Sequence, residues 1–159
     1  MAYRIRLFRE EDADALAALT RAAIETIGAR RYSPAQVAAW AARHPGPGRF
    51  LERAAAGHLI WVAATEEDEA IAYALLEPDG HLDMLHCHPD HTRKGLADRL
   101  LAEAERHARE TGAQRLYTEA SELARPAFER AGYRVTHRRD LVLDGVAIHN
   151  FAMEKVLDS

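Results

Sequence analysis

Residues 81–112 read HLDMLHCHPDHTRKGLADRLLAEAERHARETG, and the reading of this stretch decides the fold. In His81–His88, Leu82 and Met84 alternate with His81 and Asp83, the pattern of a half-buried strand, and Pro89 ends it. Thr92-Arg93-Lys94-Gly95-Leu96-Ala97 is a short basic turn that opens directly into a helix. Leu96, Leu100, Leu101, Ala104 and Ala108 recur at helical spacing on one face, while Glu103 with His107 and Glu105 with Arg109 form i,i+4 pairs near the wet side. Gly112 stands where a C-terminal helix glycine belongs. The first-turn amides of such a helix lack intrahelical partners, and the macrodipole puts positive charge there. Arg93 and Lys94 add full charges and Gly95 lets a ligand approach, so the turn suits phosphate. The alternative is an ordinary turn whose basic residues face only water, and the rest of the chain has to decide.

With 159 residues, the chain is expected to be one domain spanning 1–159. Its 48% hydrophobic and 29% charged residues fit a water-soluble globule, and a net charge of −4 argues against a general nucleic-acid binder, so the basic turn is a local device. Cys87 is the only cysteine, which rules out an internal disulfide and fits a reducing compartment. There is no run of 18 apolar residues and no signal-peptide core in the opening MAYRIRLFREED, so the expected location is cytoplasmic, away from membranes.

Outward from the central stretch, Tyr3, Ile5 and Leu7 alternate with Arg4 and Arg6 in a first strand. Glu10, Glu11 and Asp12 open a helix that carries Leu16, Leu19, Ala23 and Ile27 inward and ends near Gly28. Ser33-Pro34 starts a second helix, broken at Pro45-Gly46-Pro47-Gly48, and Arg49–Ala56 is a third short one. Leu59–Thr65 and Ala70–Leu76 are strands, and Pro78-Asp79-Gly80 turns the chain into His81. Beyond Gly112 come a strand at Arg115–Ala120, a short helix at Ser121–Ala131, and two strands, Tyr133–Leu143 and Val146–Glu154, joined by an Asp144-Gly145 hairpin.

Two segments resemble the GCN5-related N-acetyltransferase (GNAT) family. His88-Pro89-Asp90 followed by Thr92–Ala97 is similar to the family's acyl-CoA pyrophosphate loop, Gln/Arg-x-x-Gly-x-Gly/Ala; Gly95 and Ala97 fit, and Thr92 replaces Gln or Arg. Ser121-Glu122-Leu123-Ala124-Arg125-Pro126-Ala127-Phe128-Glu129-Arg130-Ala131-Gly132-Tyr133 resembles Asn-x-x-Ala-x-x-x-Tyr-Glu-x-x-Gly-Phe, with Ser121 for Asn and Phe128 for the common tyrosine. Tyr32–Gln36 with Trp40, and Asn150–Lys155, look like a bacterial YafP-like subgroup. The resemblance implies an α/β GNAT fold: a mostly antiparallel sheet of about seven strands, splayed in the middle and flanked by about four helices. It also implies acetyl transfer from acetyl-CoA, a co-substrate, to a primary amine of a small molecule or peptide. The partners expected are acetyl-CoA and the amine, with no nucleic acid and no membrane, and a homodimer is left open.

By the family pattern, the cofactor lies along Leu85, His86, Cys87, Thr92, Arg93, Lys94, Gly95, Leu96, Ala97, Ser121, Ala124 and Phe128, with backbone near Leu85 and Cys87 holding the pantetheine arm. The arm enters between the strand before the loop and the strand after the helix. His81 and Asp83 fall where family members carry a base, which an amine with pKa about 10.4 requires at neutral pH. Phe128 cannot protonate the leaving thiolate; Ser121 or Tyr117 are the substitutes, and a thiol pKa of about 8.5 makes the acid helpful rather than indispensable. Glu25, Tyr32, Gln36 and Trp40 are candidates to line the amine site. His81, Asp83, His86, Cys87, His88 and His91 are all metal-ligand types, but their spacing matches no compact zinc motif, and alternation sends His86 and His88 away from His81 and Asp83 unless a bulge intervenes; no resident metal is expected. Thr92 and Phe128 keep open a second function, an acyl-CoA-binding sensor or regulatory module without catalysis.

Overall fold

The computed structural model describes residues 2–44 and 46–157; Pro45, part of the expected break after the second helix, lies outside them. The strands are β1 (Arg4–Leu7), β2 (Leu59–Ala64), β3 (Ala70–Leu76), β4 (Leu82–Cys87), β5 (Arg115–Ala120), β6 (Arg134–Leu143) and β7 (Val146–Val156). The helices are α1 (Ala13–Thr26), α2 (Pro34–Ala42), α3 (Gly48–Ala55), α4 (Leu96–Glu110) and α5 (Arg125–Arg130). The seven strands form two antiparallel ladders, β1-β2-β3-β4 and β5-β7-β6, as the splayed sheet requires.

β3 is buried at every position and β2 at all but its first, because helices cover both faces of the first ladder. On one face Leu100, Leu101 and Ala104 of α4 pack on Ala63, Ala72 and Ala74. On the other, Leu16 and Leu19 of α1 and Phe50 of α3 meet Ile60, Val62, Tyr73 and Leu75. The alanines keep the middle of the sheet thin and let α4 approach closely. A third cluster seats α2 on the β6–β7 hairpin through Val37, Ala41 and Ile148. The hairpin turns on Asp144 (φ 49°) and Gly145 (φ 79°), two left-handed residues as expected of Asp-Gly. Ser33 and Gln36 cap α2 reciprocally, and the Gln36 amide also donates to the Ala147 carbonyl at 2.9 Å. Gln36 is thus committed to joining α2 to β7.

Two boundaries differ from the sequence reading. Helix α5 begins at Arg125, not Ser121. The Ser121 hydroxyl accepts from the Ala124 amide at 3.1 Å, which makes residues 121–124 a turn ahead of the helix. In β4, strict alternation is interrupted. Leu76 faces Leu82 and Leu75 faces Met84, so Asp83 is an extra, bulged residue.

Candidate active site

The site begins where β4 and β5 meet and part. They run parallel but share one isolated bridge, His81 with Tyr117, among the described residues. There the Tyr117 amide donates to the Gly80 carbonyl at 3.1 Å, and the buried Thr118 hydroxyl donates to the Leu82 carbonyl at 2.7 Å. Gly80 is required at this vertex. Its φ is +99°, and a Cβ would lie 2.4 Å from the Arg115 carbonyl oxygen, a backbone atom that cannot step aside. Past Leu82 the strands diverge, and a cavity of about 310 Å³ opens between them. Its walls are Leu85, His86 and Cys87 of β4, the turn 91–97, Ser121, Leu123 and Ala124 after β5, and Ala23, Ile27, Gly28, Arg30 and Trp40 from α1 to α2. That volume is at the lower end of small-ligand sites.

At one end of the cavity lies the start of α4. Arg93 (φ 61°) and Gly95 (φ 75°) are both left-handed, flanking Lys94, and Gly95 is the N-cap of the helix. The first backbone bond of α4 runs from the Arg99 amide to the Gly95 carbonyl at 3.1 Å, so the amides before it point out of the helix end. No ion pair or hydrogen bond engages the Arg93 or Lys94 side chain among the described residues. The turn itself is held: the Thr92 hydroxyl donates to the Pro89 carbonyl at 3.2 Å, and the Tyr3 hydroxyl and His91 Nδ1 lie 2.9 Å apart. The Cys87 thiol points at the His88 and His91 carbonyls, and burial pushes it up to about 11, so it is a thiol at neutral pH.

At the vertex stands an ionic cluster. His81 Nδ1 is 2.7 Å from Glu77, and its Nε2 is 2.7 Å from Glu119 of β5, while the ring stacks on Tyr117 at 4.7 Å. Burial alone would lower the imidazolium, but the bonds to Glu119 and Glu77 outweigh it and push His81 up to about 9. Arg53 of α3 donates to Asp83 at 2.8 Å and lies 3.6 Å from Glu77. Glu77, His81 and Asp83 offer ligand-type atoms within 4.8 Å of one another. The Arg53 guanidinium and the protonated His81 already supply the positive charge these carboxylates call for.

At the other end of the cavity are His86 and Trp40, ring centroids 6.4 Å apart, with His44 5.6 Å and Tyr73 5.8 Å from His86. Burial, then the neighbouring His44, pushes His86 down to about 3; Asp83 opposes this. Burial likewise lowers His44. Both imidazoles are neutral at physiological pH.

The sequence model of the acetyltransferase (GNAT) domain family matches residues 28–155. The chain belongs to the GNAT family. It is 29% identical over 150 residues, 94% of this chain and 93% of the relative, to the uncharacterised N-acetyltransferase YafP of Escherichia coli K12, which bears out the expected subgroup. A GCN5-related N-acetyltransferase structure from Rhodopseudomonas palustris superposes with a TM-score of 0.88 at 30% identity, covering 99% of this chain and 97% of that one. The PaiA N-acetyltransferase of Thermoplasma acidophilum, solved with coenzyme A, gives 0.78 at 21% identity over 99% and 100%, a likeness of fold.

In this GNAT domain the expected site residues divide into two groups. Leu85, His86, Cys87, Thr92, Arg93, Lys94, Gly95, Leu96, Ala97, Ser121, Ala124 and Trp40 share one cavity. Phe128 does not reach it; the ring is 2% exposed and packs edge-on against Tyr133 at 5.0 Å in the core. Glu25 and Tyr32 border a separate shallow depression over α1 and α2. Glu25 pairs with Arg21 at 3.1 Å, and the Tyr32 hydroxyl donates to the His149 carbonyl and accepts from the Glu122 amide. Tyr32 therefore clamps the hairpin to residue 122. Tyr117 is also away from the cavity, its hydroxyl donated to Asp79. His81 and Asp83 stand behind the cavity in the vertex cluster. The bulge at Asp83 turns His86 to the face of Asp83, where simple alternation put it opposite. Sequence reading passed over Arg30 and His44, which carry no motif, read Leu123 only as a spacer within the 121–133 segment, and took Gly80 for a turn residue only.

Proposed function

We propose that residues 1–159 act as one acetyl-CoA-dependent N-acetyltransferase domain, transferring acetyl directly to a primary amine of a small molecule or peptide. One observation carries the reading: the slot between β4 and β5 leads straight to the amide end of α4. On this reading the amides of residues 94–97, with Arg93 and Lys94, take the diphosphate. The unpaired edge of β4 from Leu85 to Cys87 takes the pantetheine arm, and a backbone N–H there polarises the thioester carbonyl, a donor of the kind that lowers barriers by about 2.7–4 kcal/mol.

His81 does not fit the role of base. At neutral pH it is an imidazolium with both ring nitrogens donating to carboxylates, and no lone pair is left. His86 is neutral and faces the cavity, and Asp83 is the charge that favours its protonation. Held at about 3, His86 is too weak a base to take an ammonium proton, so its neutral ring accepts a hydrogen bond from an amine that enters deprotonated; the amine nitrogen bonds to the thioester carbon, the carbon–sulfur bond breaks to release a thiolate, and the nitrogen's excess proton passes to water. Ser121 is within the cavity, and its hydroxyl proton is not used in accepting from Ala124, so it donates a hydrogen bond to the departing thiolate, which takes its proton from water.

The buried Phe128 favours the second reading, a sensor that binds acyl-CoA without turnover, since it withdraws the family's common acid. Titration with acetyl-CoA together with thiol release over an amine library separates the two. Tight binding with release on some amine supports the enzyme; binding without release on any amine supports the sensor.

A further inference from the structure

The cavity has an uneven charge. Apart from Asp98, which is held by Arg130 at 3.1 Å on the α4 side, no carboxylate lines it among the described residues. Its cations are Arg93 and Lys94 in the loop, Arg130, which is paired with Asp98, and Arg30, two residues past Gly28, where a Cβ would lie 3.2 Å from the Trp40 ring. Arg30 closes the one-turn helix Gly28–Arg30 between α1 and α2, its amide bound to the Ile27 carbonyl at 3.0 Å. Its guanidinium has no carboxylate or carbonyl partner among the described residues. The nearby acids are already committed. Asp83 is bound to Arg53 at 2.8 Å, Glu25 to Arg21, and Glu122 lies 3.5 Å from His149. Arg49 adds positive charge from the side of His44.

A cationic acceptor entering beside Arg30 meets a cation that no carboxylate neutralises, and a polyamine brings two or more such charges. We propose that the acceptor carries its own anion, a carboxylate or phosphonate close to the amine, and that Arg30 receives it. The arrangement resembles the way arginine takes carboxylates elsewhere, through a planar fork of donors. It also helps the chemistry. Positive surroundings favour the neutral form of an amine, so a cavity that selects the anion by charge also expels the proton from the nucleophile. The inference rests on the acetyltransferase reading and narrows it to amino-acid-like substrates.

The test measures thiol release with matched acceptors: methionine against 3-(methylthio)propylamine, phenylalanine against phenethylamine, β-alanine and 2-aminoethylphosphonate against ethylamine, with spermidine as the polycation. The anionic member of a pair should have the higher kcat/KM by at least about tenfold, near 1.4 kcal/mol, and the last set tells carboxylate from phosphonate. Arg30→Ala should collapse that ratio by raising KM for the acceptor, and Arg30→Lys should restore part of it. Equal or faster turnover of the anion-free amine of a pair or of spermidine overturns the inference and leaves the enzyme intact. So does an Arg30→Ala defect confined to KM for acetyl-CoA, which would put Arg30 on the phosphates. If acetyl-CoA binds and no amine of either kind is acetylated, the acetyltransferase reading falls and takes this inference with it.

Discussion

At the scale of single residues, His81, just ahead of β4, and His86 within it stand in opposite states. His81 is charged and structural; His86 is neutral and faces the cavity. The folded His81 sits at about 9, above the imidazole's ordinary 6.5. A raised value means its stabilising contribution is complete below about pH 6.5 and fades as pH climbs through 9. The contribution is on the order of 2–3 kcal/mol. Urea unfolding of wild type and His81→Ala at pH 6 and pH 9.5 should show a large difference at the lower pH and a small one at the higher. His86→Ala should raise KM for the acceptor by about fivefold, read by steady-state kinetics, with little change in acetyl-CoA affinity. Ser121→Ala should cost less than about tenfold, because a thiolate leaves without much help. His81 and Asp83 were legible as a pair on one face. Their ion pairs were not, because Glu77, Glu119 and Arg53 come from three other elements.

At the scale of elements, the loop and helix from Thr92 to Gly112 carry the site, and local signals made them readable. The left-handed Gly95, the basic pair and the apolar face of α4 all act within a few residues of one another. Replacing both Arg93 and Lys94 by alanine should raise the dissociation constant for acetyl-CoA at least about tenfold, measured by titration calorimetry, with the loss smaller at high salt. The helix after β5 was less readable. Arg125-Pro126 and the Ser121 turn shift its start by four residues, and no periodicity in so short a segment marks that. The bulge at Asp83 was invisible for the same reason: register depends on the partner strand, here Leu75 and Leu76.

At the scale of the whole molecule, the order of strands and helices was evident from turn residues and spacing, whereas the parting of β4 from β5 came only from the resemblance to the GNAT family. The lining of the cavity was legible only in part: Trp40 and His86 stood out as site residues, whereas Arg30 comes from a separate segment that carries no motif. Gly80 belongs to this scale too, because it sets the distance between the two ladders. Gly80→Ala should destabilise the fold by about 2 kcal/mol or more, from left-handed strain and the clash with Arg115, and weaken acetyl-CoA binding beyond what stability alone explains.

Each ladder satisfies its own strand pairing, and past the vertex no backbone bond joins β4 to β5 among the described residues, only a shared core of side chains. Spreading the slot by an ångström or two therefore ruptures no strand pairing, only the packing of side chains beneath it. A bulky thioester can be threaded in and its spent carrier let go by breathing of the gap, with both halves remaining fully knitted throughout.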